Sequence, residues 1–194
     1  MISHQYRFIF VHAGRTGGSS LERMVGVDLT SDLRTRSLGN TEFAEKHKGF
    51  QYFRETYPEE FRQYYKFAIV RNPFDRLHSY WKWFTQIVWN RPEMPLRQFI
   101  ETRPPKYSFA AKYQLEGLSI EDSVATFDYV GRFENLAETY RFLQARLGIP
   151  GGAPPHTNST GARRYQDDYD AATIDLVRRK FAVDLSLFGY DYDG

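Results

Sequence analysis

Apolar and polar positions along this chain fall into blocks of two periods. Runs rich in aromatic and β-branched residues at 6–12, 66–70 and 127–132 alternate with stretches near 19–27, 74–88, 134–147 and 171–187, where apolar residues recur every three or four positions. The first period predicts short buried strands and the second predicts amphipathic helices. In the third helical stretch Leu136, Tyr140, Leu143 and Leu147 share one face, and Gly148 supplies the stop. In the fourth, Ile174, Val177, Phe181 and Leu185 repeat the pattern. Strands that alternate with helices imply a parallel sheet covered by helices, so the expected architecture is α/β: a three-layer P-loop-like domain with a central parallel β-sheet flanked by helices, in one domain over 1–194.

Two stretches break the pattern. Between Asn90 and Lys106, Pro92, Pro95, Pro104 and Pro105 interrupt the chain, which predicts a short helix set among loops. The segment 148–164 is rich in Gly, Pro, Ser and Thr and long for a connection in a compact domain, which fits a functional lid better than a linker. No internal repeat and no low-complexity tail is present.

Composition narrows the class. A chain of 194 residues, 41% hydrophobic and 17% aromatic, can fill one core. Its 26 basic and 24 acidic residues are interspersed, and a net charge of +2 does not describe a nucleic-acid binder. With no cysteine, disulfides, thiolate chemistry and Cys-based zinc sites are excluded. No apolar run approaches the ~20 residues of a membrane span, and no signal peptide is evident, so a cytoplasmic enzyme is expected.

The chemistry is concentrated where the first strand ends. Phe8-Ile9-Phe10-Val11 runs through His12 and Ala13 into Gly14-Arg15-Thr16-Gly17-Gly18-Ser19-Ser20, and an apolar helix pattern follows. Glycines let the backbone approach an anion, and hydroxyls and free amides at a helix start can hold it. The loop is not a Walker sequence, because no lysine precedes the hydroxyl residues after Gly17-Gly18. Its cation is Arg15. The second strand ends in Arg71, where a magnesium-dependent nucleotide hydrolase would carry an aspartate, so no metal site is expected.

The pairing of this loop with Arg71-Asn72-Pro73-Phe74-Asp75-Arg76-Leu77-His78-Ser79-Tyr80 resembles sulfotransferases that use 3'-phosphoadenosine 5'-phosphosulfate (PAPS), especially the carbohydrate and family-2-like branch. Tyr129-Val130-Gly131-Arg132-Phe133-Glu134-Asn135-Leu136 is similar to that family's third strand and the helix after it. His156-Thr157-Asn158-Ser159-Thr160 with Arg163-Arg164-Tyr165 is similar to its C-terminal cofactor loop, and Asp184-Leu185-Ser186-Leu187-Phe188-Gly189-Tyr190 closes the chain as in family members. The resemblance spans nearly the whole chain. It departs at Gly14-Arg15, where the family usually has Pro-Lys, and a forked guanidinium is not equivalent to an ammonium.

The resemblance implies sulfuryl transfer from PAPS to an acceptor hydroxyl, a carbohydrate being favoured, with adenosine 3',5'-bisphosphate (PAP) as product and no metal. Arg15 would neutralise charge on the departing oxygen, and Thr16, Gly17, Gly18, Ser19 and Ser20 would hold the 5'-phosphosulfate. Arg71 and Ser79 would take the 3'-phosphate, Phe133 would lie beside adenine, and Arg163 or Arg164 would close over the same phosphate. For the base that accepts the hydroxyl proton, His47 is the candidate, with Glu22, Glu42 and Glu45 in reserve. The alternatives left open are a small-molecule kinase of similar build and a module that binds phosphorylated nucleotides without turnover. The sequence leaves the acceptor and the oligomeric state unnamed.

Overall fold

A computed structural model describes residues 1–18, 20–21, 48–102, 114, 126–150 and 164–194. These fall into two compact units, Met1–Val70 with Leu115–Thr157 and Arg71–Gln114 with Asn158–Gly194.

The first unit is built on four strands: β1 (Ile2–Ser3), β2 (Phe8–Val11), β3 (Tyr65–Val70) and β4 (Tyr129–Arg132), in that spatial order. β2, β3 and β4 run parallel, with Phe10 opposite Phe67 and Phe67 opposite Tyr129. β1 folds back antiparallel on β2, pairing Ile2 with Ile9, so the sheet is mixed where the sequence suggested a wholly parallel one. A two-residue strand five positions before β2 is too short to show a period, and a hairpin is the only connection its length permits.

All four residues of β2, and the last four of β3, are buried. Both faces of these strands are therefore covered, which is why they read as continuous apolar runs. On one face Phe8, Phe10, Phe67 and Ile69 form a core with Leu21, Tyr140, Leu143 and Ile149. The rings of Phe10 and Phe67 stack at 5.0 Å. Tyr140 and Leu143 come from a helix at Leu136–Leu147, which a 3-10 turn at Phe133–Asn135 joins to β4 and which ends at Gly148. Two helices that the periodicity did not reveal precede β3: α1 (Phe50–Thr56) and α2 (Pro58–Gln63), the latter opened by a proline at its first position. Each is under two turns, and the rings of Phe50 and Phe61 lock them together edge to face at 4.6 Å.

The second unit is helical. α3 (Pro73–Lys82) continues without a break into a π-helical turn at Trp83–Val88, followed by α4 (Leu96–Thr102). With the first unit's helix at Leu136–Leu147 counted as α5, the described residues of the second unit go on to form α6 (Ala171–Lys180) and α7 (Ala182–Phe188). The single helix expected over 171–187 is divided at Phe181, whose backbone leaves helical geometry (φ −113°, ψ 24°) as its ring enters the core. That core joins Phe74, Leu77, Tyr80 and Phe84 to Leu96, Phe99, Ile100, Val177 and Phe181. Trp81, Trp83 and Trp89 pack against it half-buried. No helix among the described residues is long and apolar enough to cross a membrane.

Candidate functional site

The loop after β2 is shaped by two left-handed residues. Arg15 has φ 66° and Gly17 φ 87°, and residues 18, 20 and 21 are already helical. An arginine in this conformation costs about 1–3 kcal/mol and persists only where the surroundings impose it. The surroundings are visible on either side. The buried Thr16 hydroxyl donates to the Ala13 carbonyl at 2.6 Å, closing the turn from within. The Gly17 carbonyl accepts from the Ser20 amide at 2.9 Å, the Leu21 amide at 3.3 Å and the Tyr140 hydroxyl at 2.7 Å. Thr16 thus spends its hydroxyl proton inside the fold, leaving its amide as the group it can offer a ligand.

Both glycines are needed for contact reasons as well. A Cβ on Gly17 would stand 3.0 Å from a Leu136 methyl, and one on Gly18 only 2.2 Å from His12 Nε2. The loop therefore rests on the imidazole of His12, a buried ring stacked on Phe10 at 5.2 Å. In the sequence His12 is simply the last residue of the strand expected over 6–12. Its part in supporting the loop depends on a contact six residues on, which no periodicity reports. Phe133, expected beside adenine, is half-buried against the core of this unit.

In the second unit, α3 starts with strong local signals. Asn72 caps it, accepting the Phe74 amide at 3.0 Å, and Pro73 occupies the first turn. Asn72 Nδ2 also donates to the Asp191 carbonyl at 2.7 Å. Arg71 and Ser79 are both buried, the first just before the cap and the second two turns along the helix. The Arg71 guanidinium is held by Asp75, with Nε and Nη2 each 2.8 Å from Oδ2. Asp75 thus pairs with Arg71, four residues before it in sequence.

Gln114 grips the Arg71 backbone at both ends. The Arg71 amide donates to Gln114 Oε1 and Gln114 Nε2 donates to the Arg71 carbonyl, each at 2.7 Å. The Gln114 amide in turn donates to both oxygens of Asp184 at 3.2 Å. Burial pushes the Asp184 carboxyl up, against the opposing pull of Arg76 and the Gln114 bonds. Nothing in the sequence flagged Gln114, which lies between two stretches outside the described residues. Farther along α3, His78 Nε2 donates to Asp168 Oδ2 at 2.8 Å, since a carboxylate can only accept. Burial lowers the pKa of His78, outweighing Asp168.

Arg164 is exposed and lies 4.0 Å from Asp167. Ser19, Glu22, Glu42, Glu45, His47, Arg163 and the segment His156–Thr160 lie outside the described residues. The structure gathers Arg15, Thr16, Gly17, Gly18 and Ser20 in one loop of the first unit, and in the second it places Arg71 just before the cap of α3 and Ser79 two turns along that helix.

A family model described as the sulfotransferase family matches residues 1–191. No curated protein and no solved structure matches the chain.

Proposed function

Because this chain belongs to the sulfotransferase family, we propose that it transfers a sulfuryl group from PAPS to an acceptor hydroxyl, with a carbohydrate as the favoured acceptor. The observation that carries this reading is the loop at 14–18, where a family match meets a backbone that admits no Cβ at Gly18 and holds Arg15 and Gly17 left-handed. Successive turns of this kind present amides to an anion. A 5'-phosphosulfate fits such a cradle: Thr16, Gly17, Gly18, Ser19 and Ser20 would hold it, with Arg15 supplying positive charge. Arg71 and Ser79 would hold the 3'-phosphate, joined by Arg163 or Arg164, and Phe133 would pack on the base.

When bound, the donor supplies a sulfuryl group on a phosphate leaving group. The acceptor oxygen forms its bond to sulfur as the sulfur–oxygen bond to phosphate breaks, and the acceptor proton passes to His47 as base. Arg15 stabilises the charge that builds on the departing phosphate oxygen, the moment at which a fixed cation contributes most. A resting anion gains less from the same cation.

Thermal unfolding tests the reading. PAP without magnesium should raise the melting temperature, since a ligand that binds only the folded state stabilises it by mass action. Stabilisation by magnesium-ATP alone would replace the reading with a kinase. For the chemical step, His47→Ala should keep PAP affinity and lose turnover by roughly 10²–10⁴. Full activity in that variant would pass the role to a glutamate.

A further inference from the structure

Tyr140 is a core residue by every sequence criterion, yet its hydroxyl reaches a backbone carbonyl more than a hundred residues away. The reason begins in β4. Gly131 has no side chain on the face that α5 covers, and a Cβ there would stand 2.5 Å from the Thr139 methyl. α5 can therefore approach the strand closely. Thr139 lies in the gap, within 3.4 Å of both the Arg132 carbonyl and the Tyr129 hydroxyl. The next residue, Tyr140, is then buried against Phe8, Phe10 and Phe67 side of the sheet with its phenol at the glycine loop.

The Gly17 carbonyl that it meets belongs to the same peptide unit as the Gly18 amide. No peptide bond described here is cis, and in a trans peptide the C=O and N–H point in opposite directions. Turning the carbonyl toward Tyr140 turns the Gly18 N–H away from it. The two helical amides on the same carbonyl lie at 2.9 and 3.3 Å, and the phenol at 2.7 Å is the shortest of the three bonds.

We propose that Tyr140 is a positioning residue for the donor site: its hydroxyl fixes the Gly17–Gly18 peptide so that the Gly18 N–H faces the 5'-terminal phosphate of the nucleotide. The inference rests on the reading of the loop as a phosphate cradle. It adds a residue that touches no ligand and acts through the backbone it holds. A hydroxyl that only filled the core would affect stability and leave phosphate recognition unchanged.

The test separates the two phosphates of one ligand in Tyr140→Phe. The ratio of PAP affinity to adenosine 3'-monophosphate affinity reports the 5'-phosphate, and the ratio to adenosine 5'-monophosphate reports the 3'-phosphate. Tyr140→Phe should lower the first ratio roughly tenfold, the effect of weakening one hydrogen bond to a charged group, and leave the second unchanged. An unchanged first ratio in the folded variant overturns the assignment, as does an equal fall in both. If the wild-type protein shows no gain from either phosphate, the cradle reading itself fails, a distinguishable result. Should Tyr140→Phe not fold, the amide resonance of Gly18 in the labelled wild-type protein decides: it should shift strongly with adenosine 5'-monophosphate, and an unmoved resonance at saturation overturns the proposal.

Discussion

Gly18 sits on the imidazole of His12, so close that a methyl group at position 18 would stand 2.2 Å from Nε2. Because the ring is buried and stacked on Phe10, it has little room to withdraw. Gly18→Ala should therefore destabilise the protein by about 1–3 kcal/mol, the usual cost of overpacking. Removing the ring should relieve the clash, so the double variant Gly18→Ala, His12→Ala should lose less stability than the two single losses added together. Urea unfolding of all four proteins measures the coupling, and strict additivity would place the methyl group elsewhere.

Arg15 combines a strained backbone with the charge proposed for the leaving group. Glycine adopts φ 66° without a Cβ penalty, so Arg15→Gly should raise stability by about 1 kcal/mol. The same change removes the cation and should reduce turnover by roughly 10²–10³, the scale of losing one stabilising group at a developing oxyanion. Stability and activity moving in opposite directions is the expected signature of strain kept for function. A variant that loses both would assign Arg15 to the fold.

Much of this arrangement is legible in the sequence because it is local. The glycine loop, the Asn72-Pro73 cap and the face of α5 each lie within one turn or one helix, where residue type and spacing carry the physics. The remainder depends on pairs distant in sequence. His12 reads as a strand-end histidine until the loop folds onto it, and Tyr140 reads as core until Gly131 lets α5 approach the strand. Gln114 gives no signal at all, since an amide that mimics a strand partner for Arg71 has no sequence pattern. The division at Phe181 escapes for a different reason: the spacing of Val177, Phe181 and Leu185 suits one continuous helix and carries no sign of the break.

Arg71 offers a direct test of how the nucleotide's other end is held. With Asp75 on Nε and Nη2, its guanidinium is oriented before any ligand arrives. Arg71→Ala should reduce PAP affinity roughly 10–100-fold, while adenosine 5'-monophosphate affinity changes little, because a charge-assisted contact to the 3'-phosphate is lost. Calorimetric titration of both nucleotides checks this. Equal losses would remove Arg71 from 3'-phosphate recognition.

The pair His78–Asp168 should make stability depend on pH with a definite sign. Burial holds the folded-state pKa of His78 below its ordinary value near 6.5, despite the hydrogen bond to Asp168 and the nearby charge of Asp75; Lys82 adds to the depression. Between those two values the unfolded chain binds a proton that the folded chain refuses, so unfolding is favoured as pH falls. The contribution is complete above about pH 6.5 and declines as acidification approaches the folded-state value. Below that value both states carry the proton and the slope from this residue vanishes. His78→Gln keeps an amide that can donate to Asp168 and has no proton to take up. Its urea midpoint should therefore fall less than that of the wild-type protein between pH 7.5 and pH 5.5. Parallel curves for the two proteins would mean that the depression is absent, and that the hydrogen bond to Asp168 offsets the cost of burying the charged imidazolium.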